Sequence, residues 1–192
     1  MIGGQFCLGR LLARGGMPYM RTGAGGPGSS PEPNGLIDLD KLKAAIRDDT
    51  ILVSIMHVNN EIGVIQDIAA IGAVCHDNCV LFHVDAAQSA GKLPIDLSGD
   101  SPGGDGGWLG NFQHVDLLSF SGHKLHAPKG VGVLYVKKGT RIAPFLLGGH
   151  QEGGRRAGTE NVPGIVGLGQ ACELAAQNMD DENTRVKALR DK

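Results

Sequence analysis

The chain lacks an excess of charge of either sign, has few cysteines and has no long apolar run. Its 18 basic and 20 acidic side chains leave a net charge of −2, which offers no electrostatic footprint for nucleic acid or for an anionic membrane surface. The four cysteines, at 7, 75, 79 and 172, follow neither zinc-ribbon nor disulfide-scaffold spacing. No stretch is long enough to span a bilayer, and no secretory leader is recognisable. A chain with these absences is expected to be cytoplasmic, to keep its thiols reduced and to act on a small molecule. Its 192 residues suffice for one sizeable core.

Residues 1–33 differ from the rest. Gly23-Ala24-Gly25-Gly26-Pro27-Gly28-Ser29-Ser30-Pro31 is dense in residues that resist regular structure, so 1–33 reads as an irregular segment and 34–192 as the folded domain. Asp38 or Asp40 caps a short helix with Leu39, Leu42 and Ile46 on one face. Strands are expected at 51–56, 80–84, 115–120 and 131–136, and helices at 68–74 and 162–179. The alternation implies an α/β fold: a mostly parallel sheet with flanking helices. Residues 98–114, including Ser101-Pro102-Gly103-Gly104-Asp105-Gly106-Gly107-Trp108, have the composition of an inserted surface loop.

Ligands of open α/β sheets lie beyond the carboxyl ends of the strands. The chemically suggestive residues Asn60, Asp85, Gln88, Ser121, His123 and Lys124 all fall at such ends. A lysine after one strand and a carboxylate ending another are what pyridoxal phosphate requires. The amine bonds to the cofactor aldehyde, and the carboxylate keeps the pyridine nitrogen protonated. In that scheme Lys124 is the catalytic amine and Asp85 faces the ring nitrogen. Gln88 reaches the phenolic oxygen, and Ser121 and His123 donate to the phosphate. His83, two before Asp85, suggests a metal ligand or a packed histidine; no further ligands stand at suitable spacing, so no metal is expected. Cys75 and Cys79, about one helical turn apart, read as a pair of small core residues.

Five blocks carry a more specific signal: Ile55-Met56-His57-Val58-Asn59-Asn60-Glu61-Ile62-Gly63, His83-Val84-Asp85-Ala86-Ala87-Gln88-Ser89, Ser121-Gly122-His123-Lys124, Pro128-Lys129-Gly130-Val131-Gly132, and the run 153–161. Through them the chain resembles the cysteine desulfurases, pyridoxal-phosphate enzymes of the class V aminotransferase group, over roughly 34–179. The resemblance implies a partial large domain of the fold type I transferases. It also implies an enzyme that takes sulfur from L-cysteine, leaving L-alanine, and passes it as a persulfide to an acceptor or scaffold protein for iron–sulfur cluster assembly. Asn60 would contact the cofactor or the substrate carboxylate. Thr159, in Arg155-Arg156-Ala157-Gly158-Thr159, would reach the phosphate of a partner subunit's cofactor, which implies a homodimer.

The family's nucleophilic cysteine and its carboxylate-binding arginine lie downstream of the matched blocks, and its ring-stacking histidine and one phosphate-binding turn lie upstream. Cys172 falls in the expected helix 162–179 and does not correspond to the nucleophile. The resemblance therefore implies a form truncated at both ends and inactive by itself. A selenocysteine lyase or another class V enzyme is the alternative activity, and a non-catalytic chain kept for subunit pairing is the alternative outside catalysis.

Overall fold

The computed structural model describes residues 33–98 and 112–192, together with the backbone of a short strand, Phe6–Gly9. The expected inserted loop falls largely on 99–111, outside the described residues, as does most of the segment 1–33. In chain order the elements are β1 (Phe6–Gly9), α1 (Leu39–Ala45), β2 (Leu52–Met56), α2 (Ile68–Asp77), β3 (Leu81–Asp85), β4 (Leu117–Ser121), β5 (Gly132–Val136) and α3 (Val162–Arg190). Short 3-10 turns occupy Gly122–Leu125 and Gln151–Gly154. No described helix is long and apolar enough to cross a membrane.

The strands form one five-stranded sheet in sequence order. Its centre, β2–β3–β4, is parallel, and an antiparallel strand lies at each edge. The α/β reading holds. β5 runs against β4 because the two are joined by a short connection, whereas parallel neighbours need a long crossover. The strand Phe6–Gly9, inside the segment expected to be irregular, pairs with β2 from Phe6↔Ile55 to Gly9↔Leu52.

Period-two alternation divides the sheet into two unlike faces. Val53, Ile55, Phe82, Val84 and Leu118 point to one face and are buried there. Register places Ser54, Met56, His83, Asp85, Leu117, Ser119 and Ser121 on the other, where each is half-buried. The buried face packs against Ile68, Ile71, Val74 and Cys75 of α2, with Leu42 of α1 and Phe112 completing the cluster. Each large apolar side chain buried this fully contributes roughly 1.5–3 kcal/mol. Phe112 ends the inserted region in the core and not on the surface; it is as buried as its neighbour Val115.

Local caps set the helix ends. The Asp38 carboxylate accepts from the Asp40 and Lys41 N–H groups, and Asp67 Oδ1 accepts from Ala70 N–H at 2.9 Å, each satisfying donors that a helix start leaves free. After α2, Cys79 N–H donates to His76 O and Val80 N–H to Cys75 O, both at 3.0 Å, with Cys79 at φ 55°. That is a Schellman closure. It corrects the reading of the two cysteines: Cys75 is in the core, whereas Cys79 is exposed beyond the helix end. Helix α3 runs past the expected 179 to Arg190. Its last turns have little apolar periodicity to read and carry exposed pairs such as Arg185 with Glu182 at 2.7 Å.

Candidate active site

The carboxyl ends of β2, β3 and β4 lie side by side, and each runs into a tight connection. After β2 the chain reverses in a hairpin closed by Asn59 N–H donating to Val64 O at 2.9 Å. Within it the buried Asn59 side chain accepts from the Glu61 and Ile62 N–H groups, which leaves Asn60 exposed at the tip. After β3 the chain turns at once, with Ala90 N–H donating to Ala86 O at 2.8 Å, and Gln88 is half-buried in that turn. After β4 comes the 3-10 turn Gly122–Leu125, which carries His123 and Lys124. A Cβ at Gly122 would come within 2.9 Å of Val131 O, so only glycine lets the turn lie this close to the chain entering β5.

These connections bring Asp85, Gln88, Ser121, His123 and Lys124 to one sheet edge, with Asn60 on the neighbouring hairpin. Asp85 ends β3 opposite Ser119 of β4. Its Oδ1 accepts from Ala87 N–H at 2.9 Å, so the carboxylate is fixed by one oxygen, and no described residue is bonded to the other. Ser121 Oγ and His123 Nδ1 are 2.7 Å apart, joining the last residue of β4 to the turn. Both His123 and Lys124 are exposed. Lys92, from the connection after β3, lies near enough that the Lys124 ammonium adds to desolvation in lowering its proton affinity. Thr159 is elsewhere, on the exposed loop leading into α3.

Two histidines are part of the framework. His83 is held on both nitrogens, Nδ1 by Ser54 Oγ at 2.7 Å and Nε2 by Ser119 Oγ at 3.0 Å. This polar row crosses the three central strands directly behind Asp85. Burial lowers its proton affinity, opposed by Asp85. Among the described residues no three His, Cys, Asp or Glu side chains are grouped to hold a metal.

His57 is the feature that sequence reasoning missed. It directly follows β2, and its N–H donates to Asp85 O at 2.9 Å. Its side chain is only 1% exposed, stands edge-on to Phe112 with centroids 5.2 Å apart, and leaves Nδ1 without a hydrogen-bond partner. Burial pushes its pKa down to about 4. Nothing in the strand pattern distinguishes it from the polar residues that follow, because Phe112, which seals it, comes from 55 positions away.

A pH dependence follows. Unfolded histidine titrates near 6.5, so between pH 6.5 and about 4 the unfolded chain binds the additional proton. Stability due to neutral His57 is complete above pH 6.5, falls as the pH drops toward 4, and then levels off. The expected loss is about 3 kcal/mol, and His83 adds to it in the same direction. Urea unfolding at pH 7.5, 6, 5 and 4 measures it, and His57→Leu should flatten the profile; an unchanged slope in that variant refutes the assignment.

Comparison with known proteins places the chain in a family. The model of the aminotransferase class-V family matches residues 29–191. The chain is 53% identical to the cysteine desulfurase IscS of Edwardsiella ictaluri over 165 residues, 85% of this chain and 38% of that protein. It is 50% identical to a cysteine desulfurase of Gluconacetobacter diazotrophicus over 161 residues, 84% of this chain and 37% of the relative. Among solved structures, a NifS-like protein superposes with a TM-score of 0.71 at 39% identity, over 82% of this chain and 40% of that one. SspA in complex with cysteine does so at 0.64 and 43% identity, over 74% and 38%. The chain thus spans about 38% of the length of these curated relatives. With the family match extending over residues 29–191, the chain belongs to the class V aminotransferase family.

Proposed function

We propose that residues 34–192, with the strand Phe6–Gly9 at one edge of their sheet, form the core of the cofactor-binding domain of a pyridoxal-phosphate-dependent cysteine desulfurase. The observation that carries the reading is the sheet edge itself: an anchored carboxylate with one oxygen unengaged, and an exposed lysine on the turn after the next strand. The residues fit the group. Asp85 offers an acceptor to a cationic ring nitrogen, which is how a half-buried carboxylate avoids the cost of an unpaired charge. Ser121, His123 and the first N–H groups of the 3-10 turn offer donors to a phosphate, and Gln88 offers an amide to the phenolic oxygen. When bound, pyridoxal phosphate supplies an aldehyde for amines and a ring that withdraws electrons from the bonds at the amino-acid Cα.

The chain's own residues have definable tasks. Lys124 would hold the cofactor through its aldehyde and, as a free amine, would move the proton at the substrate Cα. Asp85 would hold the protonated ring nitrogen, its orientation fixed by the Ala87 N–H. His83, clamped by Ser54 and Ser119, keeps the floor beneath Asp85 rigid. Asn60 stands at the hairpin tip, placed to contact cofactor or substrate carboxylate. By relation to the IscS relatives, L-cysteine is the substrate, L-alanine the product, and the sulfur passes to an acceptor protein in the cytoplasm for iron–sulfur cluster assembly. Titration with pyridoxal phosphate, followed by absorbance, tests the reading. Asp85→Ala should weaken binding at least tenfold, about 1.4 kcal/mol; equal affinity in both proteins rejects it.

A homodimer is also proposed, supported by exposed apolar side chains. Phe145 and Leu147 are 89% and 79% exposed, with Val162 and Val166 also largely bare. Ala157 N–H donates to Leu146 O at 3.1 Å, which ties the Thr159 loop to the segment between Phe145 and Leu147. In this reading Thr159 would face a second copy. Sedimentation should show a dimer that Phe145→Asp converts to monomer; a wild-type chain that stays monomeric at tens of micromolar counts against it.

Among the described residues no thiolate is positioned at this sheet edge, which favours one alternative, a non-catalytic chain. Cys75 is buried and pushed up to about 12 by desolvation and Asp116. Cys172 is half-buried on α3. Cys79 precedes β3, whereas Asp85 ends it, so they are about 20 Å apart along the strand at roughly 3.3 Å per residue.

A further inference from the structure

At the opposite end of the sheet from Asp85, two histidines from separate parts of the chain meet. His76 is in the last turn of α2, and His114 is in the short connection that leads from Phe112 into β4. Their ring centroids are 4.5 Å apart with a tilt of 42°. His76 is exposed and His114 half-buried, so both are reachable from solvent. The approach is built into the fold. Gly72 lies one helical turn before His76 on the same side of α2, and a Cβ there would stand 3.1 Å from His114 Cβ. Glycine at 72 is what allows His114 to settle against the helix beneath His76.

Each ring has a polar neighbour at its edge. Asp77 Oδ1 is 3.5 Å from His76 Nδ1, and Gln113 Nε2 is 3.1 Å from His114 Nε2. The proton affinity of His114 is lowered by desolvation, by His76 and by Lys137, against weaker opposition from Asp77 and Asp116. Neutral imidazole is the form that coordinates a metal. Two nitrogens bound to one ion at about 2.0–2.1 Å each lie within roughly 4 Å of one another, and the two ring centroids here are 4.5 Å apart. No third His, Cys, Asp or Glu among the described residues closes the site, so water would complete the coordination. Two imidazoles with water suit late first-row transition ions, while magnesium and calcium prefer all-oxygen ligand sets.

We propose that His76 and His114 form an open two-imidazole chelate for a divalent late transition metal, Zn2+, Ni2+ or Cu2+, that clamps the end of α2 to the entry of β4. The site lies away from the Asp85–Lys124 edge and is independent of the function proposed there. Because only the folded chain brings the two rings together, bound metal raises the unfolding temperature.

Isothermal titration with Ni2+ on the Cys79→Ser protein tests this, the substitution removing the nearest exposed thiol. One equivalent is expected. His76→Gln and His114→Gln should each weaken binding by about tenfold or more, and the double variant should lose little beyond either single one, as two arms of one chelate are not additive. The Ni2+-dependent rise in unfolding temperature should vanish in all three variants, while Mg2+ produces none in the parent. Circular dichroism confirms that these solvent-reachable substitutions leave the fold intact. Unchanged affinity in either single variant, additive losses in the double, or an equal response to Mg2+ would overturn the proposal.

Discussion

Borohydride reduction of the chain after incubation with pyridoxal phosphate is expected to leave the pyridoxyl label on Lys124 and on no other lysine in comparable yield. An exposed amine reacts with an aldehyde anywhere on a surface, so selectivity has to come from the site. In the proposed site the aldehyde would be brought to Lys124 by the free Asp85 oxygen, the Ser121–His123 pair and the donors of the 3-10 turn. Holding two reactants in place is worth several kcal/mol of effective concentration, enough to set one lysine apart by orders of magnitude. Peptide mapping reads the outcome. Lys124→Ala should lose the specific label entirely, and Asp85→Ala should retain the amine but lose selectivity. Dominant labelling of Lys92, which lines the same cleft as Lys124, would displace the assignment.

The second large effect is a loss. The 192-residue chain alone is expected to release no sulfide from L-cysteine above a Lys124→Ala control, even with the cofactor bound. Removing sulfur needs a thiolate delivered to the substrate sulfur, and losing a nucleophile costs on the order of 10^4-fold or more, since no other group takes over the step. The described thiols do not meet that need, Cys75 being buried and Cys79 at the far end of β3. Sulfide production with pyridoxal phosphate and dithiothreitol measures it. Turnover that survives Cys79→Ser and Cys172→Ser but requires Lys124 would leave Cys7 or Cys75 as the acceptor and overturn the expectation.

Much of this molecule was legible in the amino-acid order. Asp67 before a periodic apolar stretch marks the start of α2, and the runs around 53, 82 and 118 mark strands, because burial on one face imposes its period locally. Given strands alternating with helices, the placement of Asp85 and Lys124 at one sheet edge follows from parallel pairing, which aligns the carboxyl ends. The blocks from His57 to Lys124 carried the family likewise, since each is contiguous in the chain.

What only the tertiary structure decided depends on residues distant in sequence. The direction of the edge strands, the burial of Phe112 within a glycine-rich stretch, and the sealing of His57 by that ring leave no local period. The same is true of the two cysteines: helical spacing put Cys75 and Cys79 on one face, but the Schellman closure ends the helix between them and turns Cys79 outward. The meeting of His76 with His114 is of this kind as well. Local pattern reports what a residue does in its own element, whereas packing between elements, set by side-chain volume across tens of residues, determines which groups meet.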